Sequence, residues 1–494
     1  MSIDAAKIVA TCRESFNKGC TRSYEQRKQL LESMLNFIKD HQQDMIDAMT
    51  KDLRKPRSEA MGMEISFAEN EVIHALNHLK EWMKDEKTSK PMAMVGKDVY
   101  IKSEPVGVML IIGAWNYPVQ LILHPLIGAI MAGNTAVMKP SELSPATAAV
   151  FEKFLPKYLD KDCYTLVNGG IPETTALLAQ RFDHILYTGS SPVAKIVMAA
   201  AAKHLTPVTL ELGGKSPAFV DKDCNMYTVA RRIAWGRFIN SGQTCIAPDY
   251  VLLERETRDK FVEALKDAVK EFYGENPQDS KDFGRIINER HFKRVVSLLD
   301  SGKCVMGGQT DEKEKYVAPT VLVDVKPDDP VMTDEVFGPV LPIMTVSDVD
   351  EAVNFINSRE KPLAMYVFSN KKQVVDSILN RTSSGGFTAN DVLMHAAVDT
   401  LPFGGIGNSG MGGYHGKHSF DRFSHKRAVV IGDQSLESLL AIRYPPYSKK
   451  KESWFLWLMS KSRKSKAFPV LIYGALLCAI VGFLLKYCDV TKIY

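Results

Sequence analysis

Between residues 104 and 211 the chain alternates unbroken apolar runs with stretches of helical periodicity. This alternation is the tightest constraint on its fold. Val106–Ile112, Thr135–Lys139, Tyr164–Asn168, His184–Tyr187 and Val208–Glu211 read as strands, and residues 119–132, 145–158 and 192–204 between them read as helices. A strand that is apolar at successive positions is buried on both faces. Strands of that kind separated by helices predict an α/β fold with a doubly wound parallel sheet. Such sheets collect their ligands beyond the carboxyl ends of the strands.

A second α/β region follows over 212–395, with helix-like stretches at 257–272, 289–299 and 349–358 and strand-like stretches at 318–324, 340–345 and 363–368. Residues 22–49 read as one long amphipathic helix, opened by Ser23 and Gln26 as a capping box. Residues 402–416, PFGGIGNSGMGGYHG, are too rich in glycine for regular structure and read as an ordered loop. Hydrophobic residues at 45% and charged residues at 24% exclude a mostly disordered or collagen-like chain.

The C-terminus has a different solvent. Residues 467–485, AFPVLIYGALLCAIVGFLL, carry no charge and are long enough to cross a bilayer as a helix. Lys449, Lys450, Lys451, Lys461, Arg463, Lys464 and Lys466 precede them, and that cationic side stays cytoplasmic. The expectation is a basic juxtamembrane segment over 446–466 and a transmembrane tail anchor over 467–485, with the globular body in the cytosol. The net charge of +4 divides accordingly: residues 446–494 hold nine Lys and Arg against two acidic residues, and residues 1–445 hold 53 against 56. Trp454–Met459, between the basic clusters, reads equally as an interfacial helix, a lid over a site or an extension of the anchor. The eight cysteines are widely spaced without a C-x-x-C pair, and no apolar leader opens the chain, so reduced thiols are expected and no metal site. The sequon at Asn380 reads as a chance match. Nucleic-acid binding is not expected, because the basic residues gather beside the apolar tail.

Six windows carry candidate chemistry. Cys245 lies in GRFINSGQTCIAP (236–248), where a turn can aim backbone N–H groups at a thiol. Glu211 ends a strand in VTLELGGKSP (208–217), a place for a general base. Asn116 follows a strand in IIGAWNYPV (111–119), where its amide can donate to an oxyanion. Thr188-Gly189-Ser190-Ser191-Pro192 lies between strand and helix and suits a phosphate. KPSE (139–142) and EVFGP (335–339) complete the set. Taken singly, Cys245 also reads as a buried structural thiol, Glu211 as a strand-end cap or ion pair, and Asn116 as a turn former before Pro118.

Taken jointly and in this order, these windows, with PFGGIGNSGMG and GYHGKHSFDRFSH, resemble the aldehyde dehydrogenase superfamily from near the N-terminus to about residue 430. The short N-terminal region and the apolar tail resemble its class 3 branch and the membrane-anchored members there. The resemblance implies Cys245 as nucleophile, Glu211 as general base, and Asn116 with the Cys245 N–H as oxyanion hole. It implies a cofactor site of Lys139 and Glu142 at the adenosine ribose, Gly189 and Ser190 at the start of the cofactor-facing helix, and Glu335 and Phe337 at the nicotinamide. Tyr117 becomes a candidate substrate wall. One departure is Ala194, where the family often has a second helix glycine.

The implied activity is NAD-dependent oxidation of medium- to long-chain aliphatic aldehydes to acids through a thiohemiacetal and a thioester. Glu142 near the ribose would repel a 2′-phosphate and favour NAD, with NADP weaker. Two alternatives are a broader dehydrogenase of aromatic and short aldehydes and a cofactor-independent thiol esterase. The implied organisation is an NAD-binding domain (1–80 and 104–209), a catalytic domain (210–395) and oligomerisation segments (81–103 and 396–430). A homodimer at the endoplasmic reticulum membrane is expected, with the peroxisomal membrane as the alternative.

Overall fold

The computed structural model describes residues 3–91, 94, 96–434 and 437–460. Two compact units result. One holds the described residues up to Lys84 together with Ser103–Lys426, and the other holds Asp85–Lys102 with the described residues from Arg427 onward.

The first unit is built on two sheets. Strands β1 (Val108–Ile112), β2 (Thr135–Lys139), β3 (Tyr164–Leu166), β4 (His184–Thr188) and β5 (Val208–Glu211) pair in parallel in the order β3-β2-β1-β4-β5. All five residues of β1, β2 and β4 are buried, which is why the sequence shows no polar alternation there. The chain runs outward from β1 to β3 and then returns to start β4 on the other side of β1. Strand order therefore reverses between β1 and β4, and a crevice opens beyond their carboxyl ends.

The second sheet contains β6 (Pro217–Val220), β7 (Tyr250–Glu254), β8 (Lys303–Met306), β9 (Thr320–Val323), β10 (Val340–Val346), β11 (Ala364–Phe368) and β12 (Gly386–Ala389), in the order β8-β9-β10-β7-β6-β11-β12. Only β8 runs antiparallel to its neighbour. Helices Met226–Phe238 and Arg255–Tyr273 bury Ile233, Phe238, Phe261 and Leu265 in a core shared with this sheet.

Two local expectations are corrected. The stretch 22–49 is not one helix. Tyr24–Asp40 keeps the Ser23–Gln26 capping box, but His41 leaves the helical conformation (φ −113°, ψ 20°) and a second helix, Gln42–Leu53, begins. The His41 ring stacks on Phe154 at 3.8 Å and its Nδ1 pairs with Asp44, so tertiary packing holds the break open. Within the glycine-rich loop, β13 (Gly410–Met411) adds an antiparallel strand beside Glu211 and Leu210. A Cβ on Gly410 would lie 2.4 Å from the Leu210 carbonyl oxygen, so only glycine lets the backbones approach.

In the second unit, Glu86 pairs antiparallel with Ile101 and Lys87 with Tyr100. Trp454–Met459 completes a helix, Lys449–Met459, whose N-terminus is capped by Ser448 and whose Trp454, Leu456 and Trp457 are exposed. The expected transmembrane span 467–485 lies outside the described residues, as do residues 461–466 of the basic segment. Among the described residues no helix is long and apolar enough to cross a membrane.

Candidate active site

A cleft of about 1430 Å³ lies beyond the carboxyl ends of β1, β4 and β5. Asn116, Tyr117, Gly189, Ser190, Glu211, Cys245, Glu335 and Phe337 all line it. Lys139 and Glu142 do not. They form an ion pair of 2.6 Å at the carboxyl end of β2, with Lys139 buried and Glu142 half exposed. Ala194 is buried in the core between helix Ser191–Ala202 and the sheet, away from the cleft, so the departure at this position leaves the cleft wall unchanged.

Cys245 is presented by an unusual turn. Asn240, Ser241 and Gly242 all take positive φ (52°, 53° and 75°), bending the chain sharply after helix Met226–Phe238. For Asn240 and Ser241 this conformation carries strain that surrounding contacts must hold. Gly242 packs so tightly that a Cβ would meet the Gly338 carbonyl oxygen at 2.2 Å. Gln243, fully buried, clamps the turn. Its Nε2 donates to the carbonyls of Asn240 (3.0 Å) and Arg285 (2.9 Å), and its Oε1 accepts from Ile287 N (2.9 Å). The Cys245 thiol is pushed up by burial and by Glu335 and Glu211, while the backbone N–H groups of Cys245 and Ile246 oppose the rise.

Asn116 donates from Nδ2 to the Gln243 carbonyl at 3.1 Å. One amide hydrogen is spent on that bond, which orients the group, and the second remains to donate. The Asn116 carbonyl accepts from Lys55 Nζ (2.9 Å) and Asn240 Nδ2 (2.8 Å). Lys55 is completely buried, pairs with Glu64, and lies 4.1 Å from the centroid of the Tyr117 ring. Glu64 in turn accepts from Val119 N and Gln120 N. This ionic layer beneath Asn116 and Tyr117 is absent from the sequence reading. Its members lie more than fifty residues upstream of Asn116, and nothing local marks them. Tyr117 bonds Thr244 through its hydroxyl at 2.7 Å.

The Glu211 carboxylate is buried with neither oxygen hydrogen-bonded. Burial raises it well above the ordinary carboxylate range, opposed by Arg422. Arg422, also missed, is fixed by bonds to Thr209 Oγ1 and the Val208 carbonyl, and it lies inside the FDRFSH stretch already quoted for the resemblance.

The opposite half of the cleft suits a dinucleotide. Ser190, Ser191 and Pro192 bring the N-terminus of helix Ser191–Ala202 to its wall, where free N–H groups favour a phosphate. A Cβ on Gly189 would meet Tyr187 Oη at 2.2 Å. Glu335 reaches over Gly213, and its carboxyl is raised by burial. Phe337, at φ 44°, stands edge-on to Trp115 with ring centroids 5.3 Å apart.

With this geometry fixed, comparison with known proteins places the chain. The model of the aldehyde dehydrogenase family matches residues 2–429. Aldehyde dehydrogenase family 3 member A2 of Rattus norvegicus is 49% identical over 478 residues, covering 97% of this chain and 99% of its own. The dimeric NADP-preferring aldehyde dehydrogenase of Mus musculus is 52% identical over 445 residues, covering 90% and 98%. A substrate-bound Staphylococcus aureus AldH structure superposes with a TM-score of 0.90 at 42% identity, covering 93% of this chain and all of that one. The chain belongs to the aldehyde dehydrogenase family. It is an enzyme of the family 3 group.

Proposed function

We propose that this enzyme oxidises medium- to long-chain aliphatic aldehydes to carboxylic acids at a membrane surface, with NAD as the preferred coenzyme and NADP used less well. The observation that carries the reading is the convergence of Cys245, Glu211 and Asn116 in one cleft, between a dinucleotide-shaped half and an apolar half. Met63, Phe67, Leu121, Trp235, Leu393 and Phe403 wall the apolar half, which suits a hydrocarbon tail.

Cys245 Sγ, on losing its proton, attacks the aldehyde carbon and forms a thiohemiacetal. The free N–H of Asn116 and the backbone N–H of Cys245 receive the developing oxyanion. Donors held in place beforehand stabilise it by about 3–4 kcal/mol each. Bound coenzyme supplies the acceptor for the hydride that leaves the carbon. Gly189, Glu335 and Phe337 hold and orient it. Glu211 then takes a proton from water, which hydrolyses the Cys245 thioester. Its buried, unpartnered carboxylate is a stronger base than an exposed one.

The alignment with the A2 relative extends over 97% of this chain, while that with the dimeric relative stops at 90%. That difference supports a tail shared with the former and an anchoring role for 467–485. We assign the anchor to the endoplasmic reticulum and the assembly to a homodimer. The deciding experiment is a series of saturated aldehydes of increasing length, followed by NADH formation, with the full chain and with a chain truncated after Ser460. Activity should rise with length, and the truncated enzyme should lose rate on vesicle-borne substrate while keeping it on short soluble ones. Tyr117, Trp235 and Phe403 also present aromatic surface to the cleft, which supports a second reading as a broad dehydrogenase. A flat profile with benzaldehyde as good as hexadecanal would establish that reading instead. Ester cleavage without coenzyme, combined with no NADH formation, would replace both.

A further inference from the structure

The sulfurs of Cys20 and Cys163 lie 3.0 Å apart, 143 residues distant in sequence. Neither residue lines the cleft that holds Cys245, and the reaction uses neither. Cys20 sits in the turn that follows helix Ala5–Asn17, and Cys163 immediately precedes β3. Two contacts hold the Cys20 segment against the C-terminal end of helix Gln120–Ala132, which leads into β2. The Thr21 hydroxyl donates to the Gly133 carbonyl at 2.6 Å, and Arg27 donates to the Met131 carbonyl at 2.9 Å. The separation of the sulfurs is therefore set by neighbours on both sides rather than by two free side chains. A disulfide needs S–S near 2.05 Å, so closing the pair requires a movement of only about 1 Å.

We propose that Cys20 and Cys163 form a dithiol site that closes to a disulfide under peroxide, stapling the N-terminal helix to the edge of the first sheet. The two thiols have different roles. Cys20 is partly exposed and Cys163 is buried. Burial and the neighbouring Cys20 keep the Cys163 thiol protonated, so Cys20 is the sulfur that meets the oxidant. Cys20 thiolate attacks one oxygen of hydrogen peroxide; the O–O bond breaks, and a sulfenic acid forms as hydroxide takes up a proton to leave as water. Cys163 sulfur then attacks the sulfenyl sulfur, the S–O bond breaks, and a second water leaves with the Cys163 proton. Two thiols are oxidised by two electrons, one peroxide is reduced, and two waters are produced. A cross-link closing so long a loop restricts the unfolded chain and raises thermal stability.

The test uses the purified full-length chain in a Cys245→Ser background, so that the catalytic thiol takes no part. It is treated with stoichiometric hydrogen peroxide, its remaining thiols are alkylated, and it is digested without reduction for mass spectrometry. The expected product is a linked pair of the Cys20 and Cys163 peptides, lighter than their sum by two hydrogens, together with a rise of a few degrees in melting temperature that dithiothreitol reverses. Adding Cys20→Ser, an exchange at a partly exposed position, should abolish both the linked pair and the rise. Full alkylation of both cysteines after peroxide treatment would overturn the proposal. A pair linking Cys12 to either residue would also overturn it, since Cys12 Sγ faces Thr165 Oγ1 of β3 at 3.4 Å and is a competing thiol on this edge.

Discussion

Gly213 lies directly beneath the carboxylate of Glu335: a Cβ built on Gly213 would fall 1.8 Å from Glu335 Oε2 and 2.6 Å from its carboxyl carbon. The hydrogen side chain of residue 213 is thus what leaves room for Glu335 over the coenzyme half of the cleft. Gly213→Ala should displace that carboxylate without harming the fold, because the colliding group is the tip of a flexible side chain. The expected outcome is an increase of about tenfold in KM for NAD, equivalent to about 1.4 kcal/mol of lost contact. The melting temperature should change little, and the aldehyde KM should hold. Steady-state kinetics with each substrate varied, beside a thermal melt, checks the split.

Asn116 supplies one amide hydrogen to Gln243 and has a second to spare. Replacing it by alanine removes the spare donor while the Lys55 and Asn240 contacts to its backbone carbonyl persist. Asn116→Ala should therefore lower kcat by about 10²- to 10³-fold, the cost of one oxyanion donor, with little change in coenzyme KM. A single-turnover measurement should place the loss in thioester formation rather than in its hydrolysis.

Both reacting side chains are shifted upward by burial, Cys245 with help from Glu335 and Glu211, and Glu211 against the pull of Arg422. The thiolate and the carboxylate are the active forms, so each shift moves activity toward alkaline pH. The value of kcat/KM should climb from pH 7 to 9, by up to about tenfold per unit where one ionisation governs it. A pH–rate profile that falls over this interval would contradict the assignment of Cys245 as a nucleophile that must first lose its proton.

The parallel sheet was legible because burial on both faces removes polar residues from β1, β2 and β4, leaving a pattern that water cannot mimic. The end of each strand then pointed to Asn116, Gly189 and Glu211, and the fold brings these three into one cleft with Cys245. Short range in sequence was the limit. The break at His41 depends on Phe154, and β13 exists because Gly410 can approach Leu210. Lys55 and Glu64 reach Asn116 only through the tertiary structure. Lys139 pairs with Glu142 at 2.6 Å at the carboxyl end of β2, a partnership that the KPSE window alone does not reveal. A motif identifies residue types, whereas the partner that each charge meets is settled by packing.

Glu71, 3% exposed, accepts from the Gly416 N–H at 2.7 Å, and burial pushes its carboxyl up to about 7, with Asp399 adding to the rise. The folded state thus prefers the protonated acid, while the unfolded chain ionises near the ordinary value of about 4.3. Stability from this group is fully present below that value and is lost as pH rises toward and through 7. The loss amounts to roughly 3 kcal/mol for a shift of this size. Glu71→Gln keeps the oxygen that Gly416 needs and cannot ionise. The variant should melt close to wild type at pH 4.5 and increasingly above it as pH rises to 8. Thermal melts of both proteins across that range check the prediction: a constant difference would place the pH dependence elsewhere, and a difference that narrows with pH would reverse the sign.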